Sequence, residues 1–478
     1  MAISSAFNIA SGGLTASARM AEVVSSNLSN ALTDGYGKRE LTLSSGILGG
    51  VKIDGVSRLV DTGALRERRN AEADVGAQQR GATALSQLEQ AFGPVGDTSG
   101  VAGRIAALEQ SLISASSNPA SEQRLQTVLS RLEDVTTAMR SDSDAIQTQR
   151  QDADKAIASD VETLNTTLKQ VEKLNADVTR LIGSGNDPSA AIDARQTAID
   201  KITSIVPLTE IDRGRGQVAL YTKSGVALID GSPATFGFSP VGTIVADMTL
   251  ASGALAGVTL NGDPLDLGNG YGRMKGGSLE AAFVLRDQTL TGLQTGLDEM
   301  AADLIQRFES SSTDPTLTVG DPGLFTDRGA AFDPLDIGGL AARLTVNTNI
   351  EPAQGGALSR LRDGVNATVL GPVGNNAQID SWLGALQDPV ALIGGGTARS
   401  AVGHASDHIN TVGRLRLDAE ETLGFETARF DSLKTAELAG GVDSDQELQN
   451  LLRIEQSYAA NARVLQTLDA MMSRLMEI

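Results

Sequence analysis

From Ala120 to Ile182 the chain carries neither proline nor glycine, and this run limits the fold more than any other feature. Leu125, Val128, Leu132, Val135 and Met139 recur at three- and four-residue steps. Ile157, Val161, Leu164, Leu168, Val171, Leu174 and Val178 then resume the stripe. That spacing places them all on one face of an α-helix. At about 1.5 Å per residue an unbroken helix of this length extends on the order of 90 Å, so the molecule is elongated. Polar residues from Ser141 to Gln147 interrupt the stripe and allow a tight break between two helices. The segment from Gly183 to Pro188 ends the pattern.

Both chain ends repeat the same kind of periodicity. Ile3, Phe7, Ala10, Leu14, Ala21, Val24 and Leu28 form a coiled-coil seam with Ser17 as its one polar member. Leu448, Leu451, Tyr458, Ala462, Leu465, Met472 and Leu475 form a second seam, broken by Glu455, with Leu452 and Leu468 beside it. No proline precedes Pro94 or follows Pro389. A solitary amphipathic helix is marginal in water, so each end packs against a partner or stays disordered. Periodicity alone fits an ordinary helical bundle equally well. Asp443 or Ser444 is placed to cap the last helix, where acidic groups meet its positive end.

From Ile205 the texture changes. Val218–Thr222, Val226–Ile229, Thr243–Ala246 and Val258–Leu260 read as short strands, separated by turn signals that include Asp230-Gly231 and Asn261-Gly262. A helix is expected from Ser278 to Ser310, a strand at Leu344–Val346, and helix again from Ser400 onward. The fold class is therefore mainly α with an inserted β domain. The architecture is elongated and nested, with paired N- and C-terminal coiled-coil helices and a long-helix bundle domain. The units expected are residues 1–35 with 443–478 as a terminal domain disordered in the monomer, 36–203 with 278–312 and 353–442 as the bundle, and 204–277 as the β insertion. Residues 313–352 fit either the β or the helical part.

Composition narrows the function. The 478 residues carry a net charge of -20, from 59 acidic and 39 basic side chains. A nucleic-acid backbone would be repelled by such a field. There is no cysteine, hence no disulfide or thiol nucleophile, and no charged-then-apolar leader or spanning segment is recognisable. Aromatic residues make up only 3%, with Trp382 the sole tryptophan, which disfavours a large ligand pocket.

Motifs for chemistry are sparse. His404 and His408 share an i, i+4 spacing suited to zinc, yet His-Ala-Ser-Asp-His lacks a glutamate base and a third ligand, so no metal role is assigned. Gly268–Gly272 lacks dinucleotide-fingerprint spacing and reads as a loop. Asp443–Glu447 lacks the central glycine of a calcium loop. No catalytic residue and no cofactor are expected.

Four blocks resemble a known family. Ser26-Asn27-Leu28-Ser29-Asn30-Ala31-Leu32-Thr33-Asp34-Gly35-Tyr36-Gly37-Lys38-Arg39 is similar to the asparagine-rich stretch that closes the first helix of bacterial flagellar rod, hook and hook-associated proteins. Asp34 stands in place of their usual proline. Gly50–Asp61, Gly276–Phe283 continuing to Asp287, and Gly441–Leu452 with Gln456–Val464 follow in the same order. The long helical region after Asp61 points to the hook-associated branch, whose members join hook to filament. The resemblance does not extend over Val206 to Tyr271.

The resemblance implies a structural, non-enzymatic subunit of the extracellular flagellum, exported by the type III apparatus. Its implied partners are copies of itself, the hook protein, the next hook-associated protein toward the filament, and an export chaperone at the C-terminal helix. Asn27, Asn30 and the two terminal seams would form the assembly interface. Other readings are a hook or rod subunit, a secreted cell-wall hydrolase using the β insertion, or a coiled-coil adhesin.

Overall fold

A computed structural model describes residues 2–33, 35–46, 49–94, 96–265 and 273–476, apart from the side chains of residues 2 and 3. The turn at Asp34, the loop Gly268–Gly272 and the Ile3 side chain lie outside the described residues. Helix α1 (Ala2–Ser29) leads into an antiparallel hairpin of Lys38–Ser45 with Val51–Leu59. Then come α2 (Thr62–Phe92), α3 (Val101–Ser117), α4 (Glu122–Gly183) and α5 (Ser189–Ile205). A four-stranded antiparallel sheet takes Leu208–Gly214, Gln217–Thr222, Ala227–Asp230 and Ser232–Pro233 in chain order. Phe236–Gly237, Thr259–Leu260 and Asp263–Pro264 form a smaller one.

Helix α6 (Gly277–Val284) passes through a π-helical stretch, Leu285–Thr289, into α7 (Leu290–Glu309). Short α8 (Leu340–Arg343) and α9 (Arg360–Asp363) precede α10 (Ala377–Gln387), and two small hairpins pair Phe325–Asp327 with Leu344–Val346 and Val390–Leu392 with Gly395–Arg399. Helices α11 (Ala401–Ala439) and α12 (Ser444–Met476) close the chain. The fold is mainly helical with a few small sheets.

Helix α4 is continuous, so of the two readings, one long helix or a pair broken near Ser141–Gln147, the first holds. Two of the polar residues there, Ser143 and Gln147, have a partner across the helix interface. Ser143 Oγ and Gln147 Nε2 both donate to Gln294 Oε1 of α7, at 3.0 and 2.8 Å. A polar interruption of an apolar stripe thus signals a cross-helix hydrogen-bond site, since a buried polar group is tolerated once it is bonded.

Beside them lies Asp142, whose carboxyl is pushed up by burial to about 8. Because this lies above the ordinary unfolded value, the protonated folded state gives its full stabilisation below about pH 4 and loses it as pH rises toward 8. Asp142→Asn should therefore flatten the fall in stability between pH 4 and 8. Urea midpoints across that range check it, and parallel curves for the two proteins would refute it.

Apolar side chains gather in two cores strung along α4. The first joins α2, α3, α7, α10 and the first part of α4, with Leu132, Phe308, Phe325 and Trp382 at its centre. The stretch 313–352 belongs to it, since Leu317, Leu324, Leu340 and Leu344 are buried there. The second core begins at Ile157 and includes α5, α6 and the four-stranded sheet. The β insertion therefore has no core of its own, as expected for a sheet whose strands are mostly short.

Thr243–Ala246, expected as a strand, is irregular. Arg150 of α4 donates to the carbonyls of Val245 (3.1 Å), Ala246 (3.4 Å) and Met248, which removes those acceptors from any ladder.

At the boundary between the cores sits a buried charged node. Arg150, Asp154 and Arg286 are all fully buried. Arg286 Nη1 donates to Asp154 Oδ1 at 2.5 Å, its Nε and Nη2 donate to Asp287, and Arg150 Nε donates to the Arg286 carbonyl at 3.0 Å. The π-helical stretch that carries Arg286 and Asp287 falls where α6 leaves one core and α7 enters the other. Such an insertion re-aims side chains within a helix.

Helices α2 and α11 pack against each other with an antiparallel set of contacts. Arg68 pairs with Glu437 (2.7 Å), Asp74 with Arg429 (3.4 Å) and Glu89 with Arg416, while Phe92 stacks on His408 with ring centres 5.9 Å apart.

Candidate assembly interface

Helix α1 ends in a polar knot centred on Asn27, which is buried. Its Oδ1 accepts from the Arg39 amide and from the Tyr36 hydroxyl, both at 2.9 Å. Its Nδ2 donates to the Arg39 carbonyl at 2.9 Å and to Glu447 Oε2 of α12 at 3.3 Å. One amide thus holds the helix end, the first strand of the hairpin and the first turn of the last helix. Asn30 Nδ2 donates to the Ser26 carbonyl at 2.9 Å, capping the end of α1 locally.

Glu447 is 2% exposed, and Lys38 Nζ lies 3.3 Å from its Oε1. A buried carboxylate requires such partners, because an uncompensated charge away from water is costly. The knot is then tied to the body of the molecule through Asp193 of α5. Its carboxylate accepts from the Gly37 amide (3.1 Å), Arg58 Nε (2.7 Å) and Arg39 Nη2 (2.9 Å). The Arg39 guanidinium also lies 4.8 Å from the centre of the Tyr36 ring. These bonds and ion pairs hold the chain in place, although Arg39 Nε is buried without a hydrogen-bond partner among the described residues.

Away from the knot, α1 and α12 lie along one another. A Cβ added at Gly13 would come 2.8 Å from Asn461 Nδ2, so this glycine permits the close approach of the two helices. Among the expected seam positions, Ala10 and Val24 are buried, Leu14 and Ala21 half-buried, and Phe7 and Leu28 exposed. On α12, Leu451, Ala462, Leu465 and Leu468 are half-buried, whereas Leu448, Leu452, Tyr458, Met472 and Leu475 are exposed.

Sequence reasoning missed the buried positions Ala16, Glu447 and Ile454. Glu447, Leu451, Ile454, Asn461, Leu465 and Leu468 follow a second series of three- and four-residue steps, with one seven-residue step past the exposed Tyr458. It was hidden because its members Glu447 and Asn461 are polar. Asp443 Oδ1 accepts from the amides of Asp445 (2.9 Å) and Gln446 (3.1 Å), so Asp443 is the cap of α12. His404 Nε2 is hydrogen-bonded with the Val390 carbonyl at 2.7 Å.

Residues 85–324 match the family model described as the helical domain of flagellar hook-associated protein FlgK. That span is half of the chain. The chain belongs to the FlgK family of flagellar hook-associated proteins. As a FlgK-family member it is a structural subunit of the flagellar hook-filament junction, a part of the extracellular flagellum that assembles with other hook and filament components.

Residues 439–478 match a second model, the C-terminal region of flagellar basal body rod FlgEFG proteins. Flagellar hook-associated protein 1 of Salmonella typhimurium is 23% identical over the whole of both chains. The protein of that name from Escherichia coli is 24% identical, again over both full lengths. The Bacillus subtilis protein is 21% identical over 97% of this chain and 96% of its own. A solved structure of the flagellar hook junction protein FlgK from Burkholderia pseudomallei superposes with a TM-score of 0.45 at 18% identity. It covers 55% of this chain and 46% of that one. Among the described residues of this FlgK-family chain, no helix is long and apolar enough to cross a membrane.

Proposed function

We propose that this chain joins hook to filament by docking the α1–α12 pair onto the equivalent pairs of neighbouring copies. The observation that carries this reading is the uncovered apolar surface of the pair. Phe7, Ile9 and Leu28 on α1, and Leu448, Leu452, Tyr458, Met472 and Leu475 on α12, are exposed in the single chain. Large contiguous apolar surfaces on a soluble chain mark sites of association. Identical subunits that meet through different patches propagate a lattice instead of closing a dimer.

The terminal helices act as a coiled coil, and the rest of the chain is nested outside it. The order of contacts supports this nesting: Gly13 is close to Asn461, Asn27 meets Glu447, Arg68 meets Glu437, and Glu89 meets Arg416. In the exported monomer the terminal pair is loosely held and folds firmly only on assembly. The hook protein covers one end of the assembled copies and the next hook-associated protein the other. A chaperone shields α12 before export. The role is structural and not enzymatic.

Removing α12 by ending the chain at Asp443 tests this. The shortened protein should lose incorporation at the hook tip, while its urea unfolding in the helical body stays at the wild-type midpoint. Normal incorporation without α12 would refute the proposal.

A further inference from the structure

We infer that the bundle carries a second contact between copies, in which the apolar loop tip around Leu370 of one copy seats in the cavity beside Phe92 of the next. This rests on the proposed self-association but uses a surface separate from the terminal helices.

The tip is built from two loops on a firm frame. Asp314, fully buried, accepts from the Thr316 amide (2.9 Å) and hydroxyl (2.7 Å) through Oδ1 and from the Val365 amide (2.8 Å) through Oδ2. Asn366 spans the same loops, donating its amide to Thr316 Oγ1 at 3.1 Å and its Nδ2 to Asp321 Oδ2 at 3.2 Å. On this frame Val319, Val369, Leu370 and Val373 stand in solvent, Leu370 at 75% exposure. These bonds hold the base of the loop, at Val365 and Asn366, and beyond it the four branched aliphatic side chains form a hydrophobic knob; fixing the base lowers the conformational entropy lost on docking.

The same chain carries a fitting socket. A cavity of about 260 Å³ opens between α3, α7 and α11, walled by Phe92, Val101, Ala106, Leu297, Met300 and Ile409. Apolar cavities of about 150 Å³ already hold a six-carbon ring, so this one has room for a leucine side chain. Polar side chains also line it, Asp97, Thr98, Asp142, Ser406 and His408, and His408 Nε2 is buried with no hydrogen-bond partner among the described residues. A backbone amide or carbonyl of an inserted loop supplies what His408 Nε2 lacks, which a bare hydrocarbon ligand would not.

Geometry keeps knob and socket apart within one chain. The knob loop runs into α10, whose first residues meet the C-terminal end of α3 through Asp380 and Asn376 on Ser116. The socket is lined by Val101, Ala102, Gly103 and Ala106 at the N-terminal end of α3. A helix of this length spans about 25 Å, so the knob reaches a socket only on another copy. Such a head-to-tail contact extends along the assembly, as a patch that meets a different pocket on the next molecule does.

The absence of native cysteine makes disulfide trapping clean. Full-length Leu370→Cys and Ala106→Cys proteins, mixed under polymerising conditions and oxidised, should give a heterodimer at least tenfold in excess of either homodimer. The exposed control Leu335→Cys, paired with Ala106→Cys, should give none above background. In parallel, Leu370→Asp should raise the concentration needed for polymerisation about tenfold. If copies polymerise but L370C and A106C do not cross-link above the control, this contact is wrong and the terminal-helix reading stands. If the wild-type chain does not self-associate at all, both fall.

Discussion

Replacing Arg286 with methionine is expected to destabilise the chain by about 3–5 kcal/mol, the range for removing one member of a buried ion pair. Methionine fills much of the same space, so the loss is mainly electrostatic. Asp154 and Asp287 would both lose the guanidinium, and Asp154 is fully buried, with the Val241 amide (2.8 Å) left on its Oδ2. The Ala256 carbonyl would lose its donor as well. The double variant Arg286→Met, Asp154→Leu should recover most of the loss, because an apolar pair needs no desolvated charge. Urea unfolding of the wild type, single and double variants measures both effects. A single change worth less than 1 kcal/mol would show that the node does not hold the two cores together.

The second large effect is expected at Asn27. Asn27→Ala removes both bonds accepted by Oδ1 and both donated by Nδ2, leaving the Arg39 backbone and the buried Glu447 carboxylate short of a partner. At about 1–3 kcal/mol for each buried group left unsatisfied, the tie between α1 and α12 weakens by about 3 kcal/mol. That corresponds to roughly a hundredfold shift in the local opening equilibrium. Amide exchange across Ala2–Ser29 and Ser444–Met476 should accelerate by that order, while α4 and α7 keep their protection. Asn27→Asp is the informative contrast. It keeps the acceptors but places a second carboxylate beside Glu447, so it should loosen the helix pair at least as much. Unchanged exchange at both ends in Asn27→Ala would mean that the knot does not hold the pair.

Much of the frame was legible in the chain. The stripe of α4 could be read because helical burial repeats locally: Leu125 through Val178 lie on one side wherever that side is turned. The ends of α4, the cap at Asp443 and the strands at Val218–Thr222 and Leu344–Val346 follow from neighbouring residues alone. The asparagine-rich block and the three later blocks could be matched to a family because each is short and contiguous.

Errors appeared where a polar or irregular feature takes its meaning from a distant partner. Ser141–Gln147 leaves a break open on sequence alone because Gln294 is out of view, and Thr243–Ala246 resembles a strand because Arg150, which takes the carbonyls of Val245 and Ala246, is out of view as well. Glu455 is exposed, as an interruption of the C-terminal seam should be, whereas the acidic run Asp443–Glu447 gives no sign that Glu447 is buried. Its burial depends on Asn27 and Lys38, and Asn27 is 420 residues away.

The sequence by itself determined the helical frame, the pairing tendency of the two ends and the family, because periodicity, caps and contiguous motifs are encoded over a few turns of chain. Tertiary structure alone decided that the sheet shares a core with α4 and that the 313–352 stretch joins the bundle. It alone also joined Arg286 to Asp154 across the boundary between cores, and Asn27 to Glu447. In each case the cost of burying a charge or an unbonded amide is offset only when remote partners are brought within hydrogen-bond distance, and no local pattern records that distance.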